Sequence, residues 1–146
     1  PPNIAGIKCS GDLGTTRQLI ELKLMEFRVI VAAADMIDVL LHAGISEHLD
    51  GVFALAPHWV SGIAEACVRG EWDAAAKLQQ KLNGLLRLLR DNGVFPTFTA
   101  LMNARGIPGT FGPRPYRALD ARKVEAILQS PPARELLQPK NTKATV

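Results

Sequence analysis

The sequence is short of several things, and each shortage removes a class of function. Only two cysteines occur among the 146 residues. They are Cys9 and Cys67, far apart and without paired spacing. A disulfide scaffold is therefore excluded, and both thiols read as reduced in a cytoplasmic protein. Together with His42, His48 and His58 they are too scattered for a zinc site, so no metal is expected. Aromatic residues make up 5% of the chain, and its 17 Lys and Arg are spread out among 14 Asp and Glu. A dense basic block with interleaved aromatics is missing, which argues against nucleic-acid binding. No apolar run approaches the roughly 20 residues needed to cross a bilayer. Neither a Walker loop nor a dinucleotide glycine motif is present, and there is no fixed-period repeat or low-complexity segment.

What is there is an ordinary globular composition, 47% hydrophobic and 21% charged, with length enough for a real core. Three runs are apolar throughout instead of alternating: Ile4–Ile7, Phe27–Ala33 and Gly51–Ala56, the last ended by Pro57. That is the mark of parallel strands covered on both faces. Between them lie two helical patterns. The first runs from Leu13 to about Lys23 with Leu13, Thr16, Leu19, Ile20 and Lys23 on one face. The second is Met36–Ala43, capped by Asp35, burying Ile37, Leu40 and Leu41, and stopped by Gly44. The order is β-α-β-α-β, with right-handed crossovers expected.

Beyond Pro57 the chain reads as helical. Trp59–Arg69 forms one helix. Trp72, Ala75, Leu78, Leu82, Leu85 and Leu89 recur at steps of three and four, giving a long helix of about six turns whose stripe reads as core. Asn92-Gly93 stops it. A further helix spans about Thr97–Arg105, then a Pro/Gly-rich loop covers 107–118. Asp120 caps a last helix that buries Val124, Ile127 and Leu128. From Pro131 a polar, basic tail is expected.

The stretch from Asn3 to Asp12 organises the rest. A buried strand ends in Lys8, and Ser10-Gly11-Asp12 turns the chain into the first helix. Open α/β sheets and barrels place their chemistry at the carboxyl ends of their strands. A lysine amine that apolar surroundings desolvate becomes neutral more readily, and a neutral amine can form a Schiff base with a ketone. The plainer reading is a strand-end lysine reaching water along its own methylene stem.

Several local strings then resemble one family. Gly6-Ile7-Lys8 with Ser10-Gly11-Asp12 resembles the Schiff-base lysine strand of the dihydrodipicolinate synthase / N-acetylneuraminate lyase family. Asp50-Gly51-Val52 followed by Ala56-Pro57 is similar to its last barrel strand. Arg69-Gly70-Glu71-Trp72-Asp73-Ala74-Ala75 with Leu78-Gln79 resembles the helix pair after the barrel. Asn92-Gly93-Val94-Phe95 and Gly106-Ile107-Pro108 through Arg114-Pro115 resemble its C-terminal extension. The resemblance implies an α/β fold, the (β/α)8 TIM barrel, represented here by strands six to eight plus the helical extension. Residues 1–57 would be the last three β/α units, 58–130 the final barrel helix and the extension, and 131–146 a tail. The start at Pro1-Pro2-Asn3 and three unclosed strands lead us to expect a segment of a longer polypeptide. The missing N-terminal half of the barrel would then be a partner, carrying the family's tyrosine and paired threonines.

The resemblance also implies an activity: a class I aldolase or lyase that makes or cleaves a C–C bond beside pyruvate or a related 2-oxo acid. Lys8 would be its catalytic residue, with no cofactor and an aldehyde as second substrate. A homo-oligomer, tetramer or dimer, would be its assembly. Ala33, Asp35, Phe53, Ala54 and Leu55 would be substrate-binding. Where the neuraminate lyase branch has Gly-x-Asp-Glu after strand seven, this chain has Ala33-Ala34-Asp35-Met36. The aspartate stays and the glutamate is gone. A glycine-serine pair on strand eight corresponds to Ala54-Leu55. A polyol would lose partners here. Asp35 is equally readable as a helix cap, Cys9 as a small packing residue, and His58 as a surface side chain just past the third strand. The rival from another class is an inactive family member serving as a regulatory or assembly subunit, and a further rival is an unrelated α/β ligand-binding fragment.

Overall fold

Backbone pairing sets the first strand later than its apolar run does. In the computed structural model, which describes residues 3–22 and 27–138, strand β1 is Gly6–Cys9 and strand β2 is Arg28–Val31. They pair in parallel, Lys8 opposite Ile30 and Cys9 opposite Val31. The ladder is bounded by bonds from the Arg28 amide to the Ala5 carbonyl and from the Ala32 amide to the Cys9 carbonyl, both 2.9 Å. Lys8 therefore lies inside the strand and not after it. Gly6 makes this approach possible: a Cβ there would stand 2.5 Å from the Arg28 carbonyl oxygen. The expected cover on both faces is not seen among the described residues, because Ile4 and Ile7 are exposed.

Helix α1, Leu13–Glu21, starts at Asp12, whose carboxylate accepts from the Thr15 amide at 3.0 Å. The expected face holds: Thr16 is buried and Leu13, Leu19 and Ile20 are half-buried. Its last predicted member, Lys23, lies outside the described residues, as do Pro1 and Pro2. After β2 comes a 3-10 turn, Ala34–Met36, and then helix α2, Ile37–His42, which buries Ile37 and Leu40. Asp35 does not cap this helix. Ala33 and Met36 hold the two cap positions, neither with a side-chain bond, and Asp35 sits within the turn between them. Gly44, at φ +80°, does stop α2.

The third expected strand is not extended. Gly51–Ala54 is a 3-10 turn opened by the Asp50 carboxylate, which accepts from the Val52 amide at 3.0 Å. Helix α3, Pro57–Val68, follows with Pro57 in its first turn. The parallel pairing occurs earlier. Val31 donates to the Glu47 carbonyl at 2.8 Å and accepts from the Leu49 amide at 3.1 Å, with His48 opposite it. Val52, Leu55, Ala56 and Trp59 are all buried, a helical spacing. A short unbroken apolar run does not distinguish the two periods, whereas Asp before it and Pro at the helix start are both helix-entry signals.

The chain divides into two compact units, one ending at Asn83 and the other beginning at Gly84. The division falls inside helix α4, Trp72–Asn92, which has 21 residues as its stripe predicts. In the first unit α1 packs on β2, and α2 packs on α3. Helices α3 and α4 approach closely at Gly62, where a Cβ would stand 2.8 Å from Leu78 Cδ1. In the second unit Gly93, at φ +88°, separates α4 from α5, Val94–Ala104. Helix α6, Ala121–Leu128, is capped by Asp120, which accepts from the Lys123 amide at 2.8 Å. The expected tail begins instead as helix α7, Pro131–Leu137, burying Ala133 and Leu136. Ser130-Pro131-Pro132 is a helix start, outweighed in the sequence by the polar composition after it. Residues 139–146 lie outside the described residues.

Candidate functional site

The parallel pairing brings three carboxyl-terminal strand ends to one edge of the first unit. They are Cys9 of β1, Val31 of β2 and the 47–49 segment that bridges to Val31. All the site residues expected from the sequence lie in or directly after these ends.

The face taken by Lys8 follows from its neighbour. Cys9 Sγ lies 2.9 Å from Thr16 Oγ1 on α1, so Cys9 faces the helix layer. Successive strand side chains alternate, which turns Gly6 and Lys8 to the opposite face, together with the register partner Ile30. Lys8 is exposed there. In a (β/α) barrel the face away from the helices is the interior.

Ala33 and Asp35 follow β2 directly, Ala33 half-buried and Asp35 exposed. Phe53 and Ala54 lie in the 3-10 turn after the 47–49 bridge, Phe53 half-buried and Ala54 exposed. Leu55 is a correction. It is fully buried at 0% exposure, because the turn converts into α3 and carries it inward, so its side chain has no access to a substrate. Met36 is half-buried beside Asp35.

Two further residues belong here and were missed from sequence. Gln79 and Asn83 on α4 donate to the carbonyls of Ala34 and Asp35 at 2.8 and 3.0 Å. The available signal was a pair of amides four residues apart, which share a helix face, bordering an apolar stripe.

The histidines are otherwise engaged. His42 stands edge-on to Trp72 at 4.3 Å, His58 tilts over Trp59 at 5.4 Å, and His48 Nε2 lies 2.8 Å from the Ile45 carbonyl. Burial pushes the Cys67 thiol up, and the Asp38 charge adds to the effect, which leaves it a poor nucleophile.

Asp12, which ends the loop after Lys8, is held below the usual carboxylate range, first by the Thr15 hydroxyl and then by the Thr15 amide. A depressed folded-state pKa contributes stability above the unfolded value, lost as pH falls through the folded one. Asp12→Asn caps comparably and does not titrate. We expect its stability, relative to the parent, to improve as pH falls below about 4. Chemical unfolding of both proteins between neutral and acid pH checks this, and a pH-independent difference would count against it.

The family model described as the dihydrodipicolinate synthetase family matches residues 1–129. No curated protein matches the sequence. Among solved structures, the chain is similar to N-acetylneuraminate lyase (sialic acid aldolase) from Aliivibrio salmonicida, at 22% identity and TM-score 0.80, covering 92% of this chain and 45% of that one. It is similar to the 4-hydroxy-tetrahydrodipicolinate synthase of Methylacidiphilum fumariolicum, at 23% identity and TM-score 0.70, covering 93% of this chain and 46% of that one. It is also similar to N-acetylneuraminate lyase from Fusobacterium nucleatum, solved in complex with pyruvate, at 16% identity and TM-score 0.70, covering 90% and 42%. The fold is thus a partial TIM barrel with its helical extension, and the chain spans less than half the length of these relatives.

Proposed function

On the premise that the chain belongs to the dihydrodipicolinate synthetase family, we propose that it carries the Schiff-base lysine of an aldolase or lyase acting on pyruvate or a related 2-oxo acid. The observation that carries this reading is the placement of Lys8, one residue before the end of a parallel strand and on the face away from α1. Lys8 Nζ, as the neutral amine, attacks the ketone carbon, and loss of water leaves an iminium. That group withdraws electrons, so the adjacent carbon can lose a proton or break its bond to a second substrate. This chemistry needs no metal or organic cofactor.

The general acid/base and most carboxylate-binding donors come, in this reading, from the rest of the barrel. Its strands would cover the open edge of β1, which otherwise offers unpaired backbone groups. The backbone at Phe53 and Ala54 lies near the bound 2-oxo acid, Ala33 lines the mouth, and Asp35 accepts from a hydroxyl of the second substrate. A cytoplasmic homo-oligomer, dimer or tetramer, completes the reading.

Met36 stands where the sialic acid lyases offer a carboxylate. An unpaired buried hydroxyl costs roughly 1–3 kcal/mol, so a polyol loses about tenfold or more in specificity constant. Short or apolar aldehydes should therefore be preferred over N-acetylmannosamine. An aldehyde panel assayed with pyruvate, using the protein that contains both barrel halves, tests this. Preference for N-acetylmannosamine would overturn the substrate assignment, and no turnover with any aldehyde would favour an inactive assembly subunit.

A further inference from the structure

We infer that Gln79 is a positioning residue for the turn that carries Asp35, a role that rests on the function proposed above. Gln79 lies in the middle of α4 and is 4% exposed. A buried amide is costly unless its donors and acceptor are all engaged, and here they are. The Gln79 amide nitrogen donates to the Ala34 carbonyl at 2.8 Å and to Asn83 Oδ1 at 2.9 Å. Its amide oxygen accepts from the Asp38 backbone amide at 3.3 Å. These partners also fix which end of the amide is which, since the two acceptors face nitrogen and the donor faces oxygen. Asn83, one helical turn on, donates to the Asp35 carbonyl at 3.0 Å.

The grip falls on a stretch of backbone without side-chain caps of its own. Neither the 3-10 turn Ala34–Met36 nor α2 has a side-chain cap. Gln79 and Asn83 hold the turn from outside, at Ala34 and Asp35, and hold the first turn of α2 at Asp38. Leucine has similar bulk and would continue the buried apolar face formed by Ala75 and Leu82, four residues before and three after it, so α4 has no packing need for a polar residue at this point. The polar choice instead determines the path of the backbone at Asp35 and so the direction in which its carboxylate is presented. Gln79 touches no substrate in this scheme and acts through Asp35.

Three measurements on Gln79→Leu in the protein containing both barrel halves test the inference. Amide exchange at Asp38 should quicken by about tenfold or more, the equivalent of a lost hydrogen bond, while Ile63 in α3 keeps its protection. The KM for the aldehyde should rise by about tenfold. Borohydride trapping of pyruvate on Lys8 should keep its rate, since Lys8 sits on a different strand. Unchanged exchange at Asp38 would overturn the inference. Quicker exchange with an unchanged aldehyde KM would overturn the functional role. If the parent traps no pyruvate, the proposed function fails and the exchange result alone decides whether Gln79 holds the turn. If Gln79→Leu does not fold, Asn83→Ala decides in its place. It removes the bond to the Asp35 carbonyl and should raise the KM in the same direction, by less.

Discussion

Lys8→Arg should abolish turnover, by about three orders of magnitude or more, and leave the fold intact. The guanidinium keeps the positive charge but stays protonated at any working pH. It therefore supplies no lone pair to a ketone carbon, and no iminium forms. The fold is spared because β1 is held by its backbone ladder to β2 and by the Cys9–Thr16 contact on the other face. Lys8 itself is exposed. Steady-state kinetics and thermal unfolding of the variant, side by side, check both halves of the expectation. Near-normal activity would remove Lys8 from the chemistry. Lost activity with a large fall in unfolding temperature would assign the residue to structure.

Gly6→Ala should destabilise the first unit by about 3 kcal/mol, the upper end of the ordinary cost of overpacking. Most overpacked sites relax by moving a flexible side chain. Here the new methyl group would stand 2.5 Å from a backbone carbonyl oxygen, that of Arg28, and 3.2 Å from its carbonyl carbon and Cβ. Relief requires the two strands to separate, which loosens the ladder that carries Lys8. The affected bond from Arg28 to Ala5 is the first of the set. Chemical unfolding measures the loss, and a change below about 0.5 kcal/mol, the range of neutral surface substitutions, would show that the strands tolerate a wider spacing.

The sequence was most readable where one physical signal acts alone. The α4 stripe has a single period over 21 residues, and its length and the burial of Ala75, Leu82, Leu85 and Leu89 follow from that, whereas Trp72 at the first turn is exposed and Leu78 half-buried. Gly44 and Asp120 each occupy a place where only a few residue types serve, so the end of α2 and the start of α6 are legible too. Misreadings arose where two signals compete. In Gly51–Ala56 an apolar run suits a buried strand and a buried turn equally, and the decision came from Asp50 and Pro57 on either side. At 131–137 the polar composition of the residues that follow masked two apolar positions, Ala133 and Leu136, spaced for a helix face.

The candidate site shows the same division. The place of Lys8 near the end of a strand is legible in the sequence and holds in the structure, but position alone suits a lysine reaching water equally well, and only the family resemblance makes it the candidate nucleophile. Leu55 reads as a substrate contact only if Gly51–Ala56 is an extended strand, and the 3-10 turn there carries it into the core instead. Gln79 and Asn83 escaped because their partners are backbone carbonyls 45 and 48 residues away. A backbone carbonyl leaves no mark on the sequence, so a long-range bond to it is visible only in three dimensions.

The central claim, that Lys8 forms a Schiff base with a 2-oxo acid, is tested most directly by borohydride reduction in the presence of pyruvate, followed by peptide mass mapping. The protein used should contain both halves of the barrel. The expected result is a reduced pyruvyl adduct confined to the peptide that carries Lys8, dependent on pyruvate and absent from Lys8→Arg. An adduct on another lysine, or none at Lys8 in a protein that turns over pyruvate, would contradict it.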